Sequence, residues 1–284
     1  MTARLHDGVA LVPSPMPTSL AATDRMCAIL GEAGIPIHEG VPIRSDVDAS
    51  VLDAGAPDDA SRRLMLIDSV QSNTMVPGSA INPPPVEVLI EATDETPDAW
   101  FEEWSSCVRT NDIFWSLSTE AAMRMPAPSQ PFADAVVRRI DGGDSGDLRM
   151  RIETALHETV ANALVHGNLG LPSLSKLEGD DQSDTYQRAI QAGLSDRARA
   201  CRRVELSACI TATGVTIRVR DEGDGVPEVY WRESLNAGDD ALTHAEKSGR
   251  GLYLTAMFCD NLRRADAGRT VELCFETGPE TPAP

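Results

Sequence analysis

The first 140 residues alternate short apolar runs with amphipathic stretches. Apolar runs of about four to eight residues predict buried strands, and residues 98–108 carry apolar positions at helical spacing. Strands are predicted in four such runs, at 9–12, 63–69, 85–92 and 112–118. Strands that alternate with helices favour a parallel sheet. We therefore predict an α/β domain over residues 1–140.

A glycine- and acid-rich stretch, 141–147, predicts a flexible linker to a second domain. Residues 148–167 repeat apolar side chains every three or four positions, which predicts an amphipathic helix. Residues 215–220 alternate apolar and polar side chains, as in a half-buried strand. A further helix is predicted within 247–262, and the second domain is expected to span 148–276.

The net charge of the chain limits the classes of partner that it can bind. Its 284 residues include 44 acidic and 25 basic side chains, which gives a formal net charge of −19. Such a surface repels phosphodiester backbones and anionic lipids, so we expect neither a nucleic acid nor a membrane as a partner. No run approaches the roughly 18 apolar residues that span a bilayer, and the chain start lacks a secretory-signal layout. We expect a cytoplasmic protein.

A carboxylate and an amide share one flank of the helix predicted at 148–167. Glu158 and Asn162 are four residues apart, so they lie one above the other beside the apolar stripe. The amide oxygen suits a hard cation such as Mg²⁺, and the carboxylate can accept a proton from a hydroxyl or a water. Taken alone, the pair is more typical of two solvated surface side chains.

An acidic glycine turn, D-x-G-x-G, follows the predicted strand at 215–220. Asp221 emerges at the strand end, where its carboxylate can accept a hydrogen bond from an exocyclic amine. Gly223 and Gly225 let the backbone turn sharply and let a flat ligand approach. Acidic glycine turns are common, so this motif alone is a weak signal.

A glycine-rich segment opens the helix predicted within 247–262. Gly249 and Gly251 precede its apolar face, and such a helix start presents free N–H groups to phosphates. Lys247 and Arg250 supply the cations that a phosphate site needs in an acidic chain. Alone, the segment is also what an ordinary glycine-flanked helix start looks like.

The order of these three elements carries more information than any one of them. E-x-x-x-N on a helix, D-x-G-x-G after a strand and G-x-G at a helix start together resemble the GHKL family of ATP-binding domains. The run HETVANALVHGN, 157–168, is similar more narrowly to the anti-sigma factor serine kinases of that family. The resemblance covers about residues 130–276. It implies a GHKL α/β sandwich, a mixed sheet covered by helices, over 148–276.

The resemblance implies ATP and Mg²⁺ as cofactors. By motif position, Asn162 would ligate the Mg²⁺ that bridges the phosphates. Glu158 would be the general base that acts on a protein serine hydroxyl or a water. Asp221 would bind the adenine amine, and Thr270, on the last strand, would help to hold adenine through water.

The same resemblance gives roles to the glycines and cations of the site. Gly223 and Gly225 would shape the adenine pocket. The residues implied to contact the phosphates are Lys247, Gly249, Arg250 and Gly251. Residues 226–248 would form a mobile ATP lid, whereas the polar stretch 169–203 departs from the compact family pattern as an insertion.

The first domain resembles a response-regulator receiver domain, which implies a flavodoxin-like parallel sheet. Asp68 stands at the end of the third predicted strand, where a phospho-accepting aspartate would be. Pro13 and Ser14 follow the first strand in place of the paired acids that hold Mg²⁺, and no lysine follows the last strand. We therefore expect a degenerate receiver-like regulatory domain over 1–140 and not a working phosphoacceptor.

Together these resemblances predict an enzyme, an ATP- and Mg²⁺-dependent regulatory serine protein kinase of bacterial signalling. Its partners would be a small antagonist protein and a sigma factor, and the chain would form a homodimer. One alternative is a non-catalytic ATP-binding module that switches between partners, and another is a receiver-coupled histidine-kinase-like ATPase. Residues 277–284 are expected to form a flexible tail.

Overall fold

A computed structural model of the chain divides into two compact units, Met1–Ser79 with Pro83–Trp115 and Ala80–Asn82 with Ser116–Pro284. The parts that the structure describes are 9–12, 25–26, 28–29, 32, 37–39, 62–67, 86–92, 96–140, 146–173, 182–236 and 250–277. The following parts of the predictions therefore lie outside the described residues: Asp68, 141–145 of the linker, 237–249 of the lid and 278–284 of the tail. No helix in the described part is long and apolar enough to cross a bilayer.

The first unit is built on parallel strands. Its elements are β1 (Val9–Val12), β2 (Ile37–Glu39), β3 (Arg62–Ile67), β4 (Val88–Glu91), helix α1 (Asp98–Thr110) and the start of β5 (Ile113–Ser118). The strand order is β2-β1-β3-β4-β5, and the β1–β2, β1–β3 and β3–β4 pairs are parallel. The strands and the helix predicted from the apolar runs are confirmed.

The core of the first unit lies between α1 and the sheet. Phe101, Trp104 and Val108 recur at helical spacing and are buried against apolar side chains of β4 and β5. The indole N–H of Trp115 donates to the carbonyl of Val86 at 2.9 Å, so this buried polar group has a partner.

The second unit is a mixed α/β arrangement of helices and an antiparallel sheet. Its helices are α2 (Thr119–Arg124), α3 (Ser129–Arg139), α4 (Gly146–Asn162), α5 (Gln182–Ser195), α6 (Arg197–Ala200), α7 (Glu228–Asn236) and α8 (Arg250–Phe258). Its strands are β6 (Arg203–Thr211), β7 (Gly214–Asp221), β8 (Asn261–Ala265) and β9 (Thr270–Glu276). They lie in the order β6-β7-β9-β8, and each neighbouring pair is antiparallel.

The two faces of this sheet follow from side-chain alternation. On β7, Val215, Ile217 and Val219 are buried, and Ile217 lies opposite the buried Leu273 of β9. On the other face Arg218 pairs with Glu272 at 2.6 Å. One face therefore forms a core with the helices while the other carries charged side chains.

Helix α4 supplies the matching apolar stripe. Ile152, Ala155, Leu156, Thr159 and Val160 are all buried, as the helical spacing predicted. Beyond α4 the backbone widens into one π-helical turn, Ala163–Asn168. Such turns are frequent near functional sites.

The structure differs from the sequence prediction at one helix end and in two strands, β2 and β6, that were not predicted. The helix expected within 247–262 ends at Phe258, and Asn261–Ala265 forms β8 instead. Strand β6, Arg203–Thr211, was not predicted as a strand.

Candidate functional site

Glu158 and Asn162 lie on one flank of α4, half-buried beside its apolar stripe. The start of α8 approaches them closely. A Cβ atom built on Gly251 would lie 3.0 Å from Glu158 Oε2 and 3.0 Å from Asn162 Nδ2. The structure thus brings together the carboxylate, the amide and the second glycine of the G-x-G segment.

The two helices run in opposite directions at this contact. At the far end of α8, Arg151 of α4 donates from Nε to the carbonyl of Phe258 at 3.1 Å and pairs with Asp260 at 2.7 Å. The N-terminus of α8 is thereby held beside Glu158 and Asn162. Free N–H groups and the positive end of the helix dipole there favour an anion such as a phosphate.

The remaining residues of the predicted phosphate site are only partly placed. The backbone of Arg250 begins α8, but its side chain lies outside the described residues. Lys247 and Gly249 also lie outside them.

Replacing Gly251 with alanine should lower nucleotide affinity without loss of folding. The added methyl group would displace the Glu158 and Asn162 side chains, whereas alanine in a helix is favoured over glycine by about 1 kcal/mol. Calorimetric titration with Mg·ATP and thermal melts test both parts. Gly146→Ala is the matched control because its Cβ would meet no atom within 4 Å. Equal ATP affinity of Gly251→Ala and the parent would contradict the prediction.

Asp221 ends β7 at a tightly packed corner. Its N–H donates to the carbonyl of Arg269 at 2.9 Å, and its Oδ1 accepts the Gly223 N–H at 2.8 Å. A Cβ built on Gly167 would lie 2.5 Å from Asp221 Cγ, and one built on Gly223 would overlap the carbonyl of Gly167. The D-x-G-x-G turn therefore packs directly on the end of the π-helical turn, where only glycines fit.

The pKa of Asp221 is raised from 3.8 to about 6, chiefly because burial penalises its charged form. The Gly223 hydrogen bond and the charges of Arg269 and Arg202 lower the pKa, and Asp266 raises it. At pH 7 the group is therefore mainly an ionised, largely buried carboxylate. Such a carboxylate is a strong acceptor for an amine of a ligand.

Gly225 lies against the turn that joins β8 to β9. Its φ is +77°, and a Cβ on it would lie 2.6 Å from the carbonyl of Ala267. Val226 N–H donates to the carbonyl of Gly268 at 3.1 Å. Arg264 donates to the carbonyls of Val226 and Ala267, at 2.8 and 3.0 Å. These contacts fix the segment at which the predicted lid begins.

Thr270 is not brought together with the carboxylate of Asp221. It lies opposite Arg220 in the β7–β9 register, one position away from Asp221. Because successive side chains of a strand point to opposite faces, Thr270 shares the face of Arg220. Arg269, whose carbonyl accepts the Asp221 N–H, is the β9-side residue next to the carboxylate.

The two clusters, Glu158 with Asn162 and Asp221 with its glycines, lie along one helical segment. Gly167, which packs on Asp221, follows Asn162 by five residues, or roughly 8 Å of helix. A ligand with an amine at one end and phosphates at the other has contacts of the right kind at both clusters.

The side chains around Asn162 bear on whether a cation can bind there. Among the described residues, no three histidine, cysteine or acidic side chains converge on a metal position. An amide oxygen beside a phosphate-binding helix start still fits Mg²⁺, because this ion is usually bound through one or two protein oxygens plus phosphate and water. The half-buried Asn162 against Gly251 meets that requirement.

Sequence reasoning missed Asn168 and Arg264. Asn168 is fully buried and its side chain hydrogen-bonds to two distant segments. Its signal in the sequence was a polar residue directly after the glycine that was expected to end a helix. Arg264 follows the helix predicted within 247–262, and no sequence pattern connects it with Val226, where the predicted lid begins.

The family model of the histidine kinase-like ATPase domain matches residues 127–275. The chain belongs to this family. The match covers more than half of the chain, including both clusters, and makes the second unit an ATP-binding, kinase-like domain. No curated protein matches the chain.

Proposed function

We propose that the second unit binds Mg·ATP between the Asp221 corner and the start of α8. The approach of Gly251 to Glu158 and Asn162 carries this proposal, because it combines a phosphate-binding helix start, an amide ligand and a carboxylate. Asp221 would accept a hydrogen bond from the adenine amine. Gly223 and Gly225 would shape the adenine pocket by letting the turn pack against the backbones of Gly167 and Ala267. Thr270, on the face of Arg220, takes no part in this proposal.

We further propose that the chain is a regulatory serine protein kinase. The acceptor hydroxyl oxygen would bond to the γ-phosphorus of ATP while the bond to the β,γ-bridging oxygen breaks, releasing ADP. Glu158 would take the hydroxyl proton. Bound Mg²⁺, held through Asn162, supplies charge neutralisation on the phosphates. Lys247, Gly249 and Arg250 would complete the phosphate contacts, and positioning with charge stabilisation would provide most of the rate enhancement.

The proposed partners follow from the resemblance to anti-sigma factors. The phosphate acceptor would be a serine of a small antagonist protein, and a sigma factor would bind the kinase, which would act as a homodimer.

The first unit would be a degenerate receiver-like regulatory domain. Its strand order β2-β1-β3-β4-β5 supports this, since flavodoxin-like sheets have the order 2-1-3-4-5.

Incubation with ATP labelled in its γ-phosphate, Mg²⁺ and a panel of small candidate antagonist proteins tests the kinase proposal. Label on a serine of one protein supports it. Phosphate release without an acceptor would identify a hydrolase instead. ATP binding that leaves all proteins unlabelled would identify a non-catalytic partner-switching module.

Nucleotide binding itself should appear as thermal stabilisation. At an ATP concentration of 100 times the dissociation constant, the free energy of unfolding should rise by about 2.7 kcal/mol. Scanning fluorimetry over a series of ATP concentrations with Mg²⁺ measures the shift, and GTP provides the control. A melting temperature that does not change with ATP would contradict the proposed function.

A further inference from the structure

The buried Asn168 joins three segments of the second unit. Its Nδ2 donates to the carbonyl of Arg203 at 3.0 Å, and its Oδ1 accepts the N–H of Glu222 at 2.8 Å. Its own carbonyl accepts from Arg202 Nη1 at 2.9 Å. One fully buried residue thus connects the end of the π-helical turn, the start of β6 and the turn that follows β7.

Glu222 also bonds directly to Arg203, the other partner of Asn168. The carboxylate of Glu222 accepts the N–H of Arg203 at 2.7 Å, so Glu222 is held at both its backbone and its side chain. Gly167, immediately before Asn168, packs on Asp221 and Gly223. The position of the Asp221 carboxylate relative to α4 is therefore set by residues 167 and 168.

The residue that follows Asn168 is also well packed. Leu169, next along the chain, is fully buried, and a Cβ on Gly193 of α5 would lie 3.3 Å from its Cδ2. Arg199 donates to the carbonyl of Leu169 at 2.8 Å. The predicted insertion, 169–203, thus supports the end of the π-helical turn.

We propose that Asn168 is a positioning residue that sets the adenine specificity of the nucleotide site, by fixing the Asp221–Gly223 turn against the end of the π-helical turn. This inference rests on the proposed function, because it takes Asp221 as the partner of the adenine amine. A carboxylate at a fixed place accepts from the adenine amine and repels the carbonyl oxygen that guanine presents in the same position. If the turn is loosened, the difference in affinity between ATP and GTP should become smaller.

The test compares the full chain with Asn168→Ala in two measurements. Calorimetry should show ATP affinity reduced by about tenfold or more, with a smaller loss for GTP, because both backbone partners of the amide lose their bond. In the protein without nucleotide, carboxyl-carbon NMR should show the pKa of Asp221 shifted from about 6 toward 3.8, since a released turn admits water. Asn168→Ser, whose hydroxyl can still make one of the two hydrogen bonds, serves where the alanine variant does not fold.

Asn111→Ala is the matched control. Asn111 Nδ2 also donates to a backbone carbonyl, that of Cys107 at 2.9 Å, but in the first unit. This variant should alter thermal stability only. Unchanged ATP-to-GTP preference and an unchanged pKa of Asp221 in the Asn168 variants would overturn the inference. Absence of ATP binding by the parent chain would overturn the proposed function instead, and the NMR measurement would still decide whether Asn168 positions Asp221.

Discussion

Glu158→Gln should lower the rate of phosphoryl transfer by about 10²–10⁴-fold while leaving ATP affinity nearly unchanged. Glutamine keeps the size of the side chain and its contact with Gly251, but it cannot take the proton of the acceptor hydroxyl. The rate is measured under single-turnover conditions with labelled ATP, and the affinity by calorimetry. A loss confined to the chemical step is the result that a general base predicts.

The control for this variant lies on the same helix. Glu153→Gln removes a carboxylate that is paired with Arg149 at 3.3 Å and should change neither rate nor affinity. If Glu158→Gln transferred phosphate at the parent rate, the general-base role of Glu158 would be wrong. If it abolished ATP binding as well, the carboxylate would act in binding and not in proton transfer.

Asp221→Asn should weaken ATP binding and, at neutral pH, stabilise the protein without nucleotide. Gly223 N–H already occupies Oδ1, so an asparagine would turn its Nδ2 toward the adenine amine and set a donor against a donor. The loss of a hydrogen bond to a charged group corresponds to roughly 10- to 100-fold in affinity. Calorimetry measures the affinity. An undiminished affinity would contradict the adenine contact.

The stability effect of Asp221→Asn should depend on pH in a defined direction. The pKa of Asp221 in the folded chain, about 6, lies above its ordinary value of 3.8, so ionisation opposes folding. The parent should lose stability relative to the variant as the pH rises from 4 to 6, and the difference should level off above pH 6 at about 3 kcal/mol. Urea melts of both proteins at pH 4 and pH 7.5 measure it. A difference that is the same at both values would contradict the burial of this charge.

The sequence predicted those elements whose apolar residues recur with a regular local period. The apolar stripe of α4, from Ile152 to Val160, has a helical period, and β7 alternates over Gly214–Asp221, so both were predicted correctly. The end of α8 was not. Leu262 continues an apolar spacing that fits a helix, but pairing with Leu273 of β9 makes it part of a strand. Such tertiary pairing overrides local preference.

The candidate site divides in the same way. The resemblance of the ordered motifs to GHKL domains implied that Glu158, Asn162 and Gly251 share one site, and the structure places Gly251 close to the other two. Thr270 was assigned from its motif position, and only the register with Arg220 shows which face of the sheet it occupies. Asn168 hydrogen-bonds to residues 35 and 54 positions away. No local pattern contains such partners, so its role required the folded chain.

The turn between β8 and β9 has a left-handed backbone that neighbouring residues must stabilise. Asp266 and Ala267 have φ of 50° and 55°, and Gly268 follows at 94°. Outside glycine, this conformation costs roughly 1–2 kcal/mol per residue. Arg264 and Arg269 hold the turn locally. Val226, distant in the sequence, also holds it, because its N–H donates to Gly268 and its carbonyl accepts from Arg264. The corner at which we propose that adenine binds therefore needs the segment after β7 and the β8–β9 turn to be packed together.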